Sequence, residues 1–262
     1  MSTQILEKEK TINGNLIVNI KFLYYVMVIV PYVGITAAII TYVTIGKTKY
    51  PYIPTVSECM VDFPITHIFG PVLSVESALL VCYGLIRDHI SGYLVSTKFV
   101  SRRKYPTIAR YCLKVLLSIG IIGLFMLANC NRDLSFPIHN ASAILFFSSI
   151  AIYHVVDDFL FSYLDIPPTN LGRIISWFTV AILFFFPIFR NANPNNKTFL
   201  SIASICEYIG IFLFPIKVFL NGIRLPFHCL TFSLKYNDNS VSSNPLSSPS
   251  LGPYTSLPND SD

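Results

Sequence analysis

The sequence predicts an all-α membrane protein, a bundle of six transmembrane helices with both termini cytoplasmic. Hydrophobic residues make up 53% of the 262 and charged residues only 13%, about half the charged share of a typical soluble domain. Mean hydropathy is +0.57. Apolar runs of roughly twenty residues recur along the chain, the length a helix needs to cross a hydrocarbon core about 30 Å thick. Together these exclude a soluble globular enzyme, a disordered chain and a collagen-like chain.

The elements follow in order. Residues 1–21 form a cytoplasmic N-terminal segment carrying Lys8, Lys10 and Lys21 but no apolar core, so the first span, Phe22–Ile45, reads as a signal anchor rather than a cleavable leader. The other spans are His67–Ile86, diluted by Pro71, Ser74, Glu76 and Ser77, then Thr107–Ala128, Pro137–Leu164, Ile174–Phe189 and Phe199–Leu220. The six-span domain covers 22–222. A cytoplasmic tail covers 223–262, and its Ser, Asn, Pro and Asp from Ser240 onward predict disorder.

Orientation rests on Lys and Arg in the short loops. One set holds Arg87, Lys98, Arg102, Arg103, Lys104, Arg110, Arg173, Arg224 and Lys235 besides the three N-terminal lysines. The other holds only Lys47, Lys49, Arg132, Arg190 and Lys197. The net charge of +5 therefore reads as a topology signal, with no nucleic-acid partner implied. On the lumenal side lie one long loop, Gly46–Thr66, and short loops around Asn131 and Asn195. Asn196-Lys197-Thr198 is a glycosylation sequon there. Cys59 and Cys130 fall in different lumenal loops and are candidates for a disulfide in an oxidising compartment. Cys229, just past the last span, is a candidate palmitoylation site. In the tail, Tyr254-Thr255-Ser256-Leu257 has the Tyr-x-x-bulky form read by trafficking adaptors, with Tyr254 and Leu257 as the anchors.

Ionisable residues at bilayer depth cost about 2.5–3.5 kcal/mol on insertion scales, so they are the functional candidates. Glu76 lies near the middle of the second span. His154 lies within the fourth, with Asp157 and Asp158 on the same helical face. Glu207 and Tyr208 lie a third of the way into the sixth. Two readings stay open: acid–base groups or headgroup ligands in a polar cavity, or polar pairs that hold helices together. There is no C-x-x-C, G-x-S-x-G, H-E-x-x-H or phosphate-loop pattern, so no metal or cofactor is implied. A small-solute transporter would show repeated halves with matched broken helices. The halves show no such repeat, and Pro71 and Pro215 are the expected interruptions at depth.

The loop Tyr50-Pro51-Tyr52-Ile53-Pro54-Thr55-Val56-Ser57-Glu58, set between the first span and one with an internal carboxylate, resembles a segment of a known superfamily. That superfamily joins the damage-regulated autophagy modulators with the GPI-anchor lipid remodelling factor (FRAG–DRAM–SFK). The form here is nearer the "LPSVS" of the remodelling branch. Phe136-Pro137-Ile138-His139-Asn140-Ala141-Ser142-Ala143 opens the fourth span as in the family. Ile205-Cys206-Glu207-Tyr208-Ile209 is similar to an "F-E-Y" element of the remodelling branch, with Cys206 in place of Phe; a following "N-M-x-F-H" element has no counterpart in Phe214–Gly222.

The resemblance implies a Golgi or endoplasmic reticulum membrane protein acting in GPI-anchor lipid remodelling, with a membrane lipid as partner and acyl transfer as the chemistry if the chain is itself an enzyme. Ser57, Glu58, His67 and Tyr208 would then bind the headgroup. Glu207, His139, Glu76 and His154 are the catalytic candidates, an imidazole serving as proton carrier. The alternative branches imply a non-catalytic regulator or scaffold in autophagy or phosphoinositide signalling, at lysosomal or plasma membranes.

Overall fold

The computed structural model describes residues 15–45, 52–60, 65–98, 104–130, 135–193, 195–225 and 229–233. Among these, six helices are long and apolar enough to cross a membrane. They are α1 (Ile20–Thr44), α3 (Ile65–Lys98), α4 (Lys104–Asn129), α5 (Phe136–Tyr163), α6 (Asn170–Ala192) and α7 (Lys197–Ile223), with a single-turn helix α2 (Val56–Cys59) between the first two. The all-α six-span bundle is therefore as the sequence predicts. One addition, which hydropathy does not signal, is a two-stranded sheet of β1 (Asn15–Asn19) and β2 (Cys229–Ser233). The helices belong to a compact unit, Val18–Leu230. A second unit gathers Met1–Ile17 and Thr231–Asp262, of which only strand residues are described. The tail motif Tyr254–Leu257 lies outside the described residues, as does the side chain of Cys229.

Helix starts are set by side-chain caps that satisfy orphan backbone N–H groups. Asn19 accepts from Lys21 N, Thr169 from Gly172 N at 2.7 Å, and Asn196 from Thr198 N and Phe199 N. Helix α5 ends in a reciprocal pair of bonds, Ile166 N to Phe161 O at 2.9 Å and Asp165 N to Ser162 O at 3.3 Å. That motif needs a left-handed residue, here Asp165 with φ 60°. Pro167 and Pro168 follow, and neither can continue a helix.

Each spanning helix packs on the next one in sequence, and α1 on α7 closes the ring. Small residues permit the closest approaches. A Cβ at Gly123 of α4 would lie 2.7 Å from Phe146 N and 2.9 Å from Ser142 O, so α4 and α5 meet backbone to backbone. Helix α5 is the most enclosed: 56% of its most apolar stretch is buried, against 28–33% for the other five. The outer faces carry exposed Phe22, Ile29, Val33, Ile122, Phe159, Phe184 and Phe185, the surface a hydrocarbon solvent requires.

Three expectations are corrected. Helix α3 continues past Ile86 to Lys98 because Ile90, Leu94 and Val95 keep it packed on the core; Arg87 is thus inside a helix rather than in a loop. Prolines lie inside four of the described spanning helices, not two, and none breaks its helix: Pro31 in α1 and Pro187 in α6 join Pro71 and Pro215. Cys59 and Cys130 are separate free thiols. Cys59 is buried in a small cluster with Ala38, Tyr42, Val56, Met60 and Ile65, while Cys130 follows α4.

Candidate functional site

Charged and polar side chains gather at the two ends of the bundle. One end carries α2, the start of α7 and the end of α6; the other is where α1 begins and α7 ends.

At the α2 end, the sequence Thr55-Val56-Ser57-Glu58 folds as a capping box. Glu58 N donates to Thr55 Oγ1 at 3.1 Å, and Thr55 N donates to Glu58 Oε2 at 2.8 Å. This local closure fixes the Glu58 carboxylate. Its other oxygen receives Arg190 Nη2 from the end of α6 at 2.6 Å and the Tyr52 hydroxyl at 3.2 Å. Ser57, one residue earlier, donates to Glu207 Oε1 of α7 at 3.3 Å. Cys59, one residue later, lies with its Sγ 3.5 Å from the Tyr208 hydroxyl, and burial pushes its thiol above the usual range. Ile53 N donates to Ser201 Oγ at 3.2 Å and ties the loop to α7. Two buried atoms of this cluster have no hydrogen-bond partner among the described residues, Glu207 Oε2 and Arg190 Nη1. The cluster thus holds one acceptor and one cationic donor that no described residue satisfies, beside the Glu58–Arg190 ion pair.

The structure therefore brings together Ser57, Glu58, Glu207 and Tyr208 from the sequence-derived set. Among the described residues it brings no histidine to them. His139 is buried in the first turn of α5 with Nδ1 3.0 Å from Cys130 O. His67 is exposed near the start of α3. His154 is buried with its ring 5.4 Å from that of Phe214, and neither nitrogen has a hydrogen-bond partner among the described residues. Glu76 is likewise buried, and neither of its oxygens has a hydrogen-bond partner among the described residues. Arg190 is the member that sequence reasoning missed, because it ends an apolar run and reads as a loop charge.

At the opposite end, Asp157 and Asp158 are taken by cations that the sequence reading did not pair with them. Arg87 of α3 meets Asp157 through Nη2 at 2.5 Å and Nε at 3.3 Å, with its guanidinium 3.4 Å over the Phe161 ring. Asn221 of α7 donates to Asp157 Oδ2 at 3.2 Å and to the Tyr83 hydroxyl at 3.1 Å. Lys217 of α7 donates to Asp158 Oδ1 at 2.5 Å and to Gly172 O at 3.0 Å, and Ser176 donates to Asp158 Oδ2 at 2.6 Å. The signal was present: Lys217 interrupts an otherwise apolar run, and a buried cation at that depth requires a carboxylate. With every carboxylate oxygen partnered, this network joins α3, α5, α6 and α7 and reads as structural.

A ring of six spanning helices with a polar, partly unsatisfied cluster at one end defines a multi-pass membrane protein. The chain belongs to the family described as Frag1/DRAM/Sfk1/Cwh43P N-terminal domain, which it matches over residues 19–220. No curated protein and no solved structure matches the chain.

Proposed function

We propose that the protein acts in GPI-anchor lipid remodelling in the secretory pathway, with the cluster at the α2 end, oriented to the lumen, holding the polar headgroup of a membrane lipid. One observation carries this reading. The two segments that resemble the remodelling branch, Tyr50–Glu58 and Cys206–Tyr208, are distant in sequence yet meet through the Ser57–Glu207 bond. A headgroup with phosphate and hydroxyls would find a cation in Arg190 and an acceptor in Glu207, while its chains remain in the bilayer. Among the described residues the cluster holds carboxyls and no histidine, so any proton moved there would be carried by Glu207 or Glu58.

The test is the lipid composition of GPI-anchored proteins in cells lacking the protein. Wild type restores saturated anchors and surface retention. Glu207→Gln, which keeps the shape and a partner for Ser57 but removes the charge, fails to restore them at equal abundance. Normal anchors in the deficient cells, or full rescue by Glu207→Gln, would overturn the reading. The first result would favour the second reading, a non-catalytic regulator or scaffold in autophagy or phosphoinositide signalling. That reading would make tail residues such as Tyr254 and Leu257, which would engage a trafficking adaptor, the next to delete.

A further inference from the structure

Away from the α2 cluster, a cavity of about 550 Å³ opens between α3 and α4 and is closed behind by α5. Its lining is divided. Arg110 and Lys114 of α4 and Asp88 of α3 form its charged part, and Leu85, Leu117 and Ile121 its apolar part.

The charged part is held in place. Arg110 donates to Asp88 Oδ1 from Nε at 3.1 Å and from Nη2 at 2.8 Å, and Lys114 Nζ lies 3.0 Å from Asp88 Oδ2. Two cations thus share one carboxylate, and the cleft keeps one unbalanced positive charge. The Arg87–Asp157 pair at its back wall is balanced and adds none. Lys114 is 50% exposed, so a second anion can reach it without breaking the pair.

Depth and direction decide what kind of anion. At about 1.5 Å per residue the 34 residues of α3 run well beyond a hydrocarbon core about 30 Å thick. The apolar run of α3 ends at Ile86, so Asp88 stands at the membrane rim, and Arg110 and Lys114, from the second and third turns of α4, reach it there with their charged ends. The cavity's apolar side faces outward, where Leu85 and Ile122 are 67% and 56% exposed. A soluble anion would use the charged part and leave the apolar part bare. A molecule with a phosphodiester at the rim and a hydrocarbon chain below it fills both.

We propose that the α3–α4 cleft is a binding site for an anionic glycerophospholipid, its phosphodiester against Lys114 and Arg110 and one acyl chain along Leu85, Leu117 and Ile121. The site is independent of the GPI-remodelling reading, since it shares no residue with the α2 cluster and would be occupied whatever that cluster binds.

The experiment is native mass spectrometry of the purified full-length protein given phosphatidylglycerol or phosphatidylcholine with the same chains. Wild type retains phosphatidylglycerol about fivefold better, the effect of one rim charge. Lys114→Gln, at an exposed position where folding is not at stake, reduces that preference to near unity. Ser118→Phe, at the cleft's exposed edge, lowers retention of both lipids while leaving the charges in place. Equal retention of the two lipids by wild type would overturn the proposal. So would a preference that survives Lys114→Gln in a variant with the wild-type melting transition, or displacement of the lipid by millimolar glycerol 3-phosphate alone.

Discussion

Arg87, Asp157 and Asn221 show how single residues set the terms of this fold. A buried ion pair gains little over an apolar pair of equal volume, but removing one partner strands the other. Asp157→Ala is expected to lower stability by about 3–5 kcal/mol, and the double variant Arg87→Met with Asp157→Leu to recover most of it; thermal unfolding in detergent measures both. Asp165 is the opposite case. Its left-handed φ of 60° is one that glycine adopts without strain, and its neighbours' bonds do not use its side chain. Asp165→Gly should therefore raise stability by up to about 1 kcal/mol, read as a higher melting temperature.

At the scale of elements, the contact between α4 and α5 is governed by the missing Cβ of Gly123. Gly123→Ala would push that carbon against the α5 backbone and is expected to cost about 1–3 kcal/mol. Gly210→Ala is the control, since its Cβ would meet only Ile182 Cγ2 at an ordinary 3.6 Å. That variant should be neutral or slightly stabilising through helix propensity, by up to about 1 kcal/mol. A loss at Gly210 equal to that at Gly123 would show that helix flexibility, and not the close approach, is what glycine supplies. The short helix α2 makes a related point. Its Thr-x-x-Glu pattern is legible in the sequence, yet the capping box matters because it presents Ser57 and Cys59 to α7.

For the whole molecule, the proposed function requires the α2 end to be lumenal, the orientation that the Lys and Arg bias of the loops predicts. A sequon inserted between residues 46 and 51 should acquire a glycan removable by endoglycosidase, while a tag after Asp262 stays accessible only from the cytosol. Native Asn196 is expected to remain bare, because its carboxamide is wound into the first turn of α7, accepting from Thr198 N at 2.9 Å, close to the membrane. A glycosylated tag or an unmodified inserted sequon would invert the orientation and with it the assignment of the two polar ends.

The sequence by itself determined the solvent, the number of spans and most of their ends, because a hydrocarbon core demands apolar runs of one length and leaves their record in composition. It also marked Glu76, His154, Asp157, Asp158 and Glu207 as charges that need a reason, and carried enough of Tyr50–Glu58 and Cys206–Tyr208 to point to the family. Which of those charges act together was decided only by the tertiary structure. Ser57 finds Glu207 and Glu58 finds Arg190 because the ring places the end of α6 and the upper part of α7 around α2, and Asp157 finds Arg87 because α3 runs on past its apolar stretch. Pairing between helices depends on rotation and register, which no local pattern encodes; hence His139 could be grouped with Glu207 as a catalytic candidate and yet face Cys130.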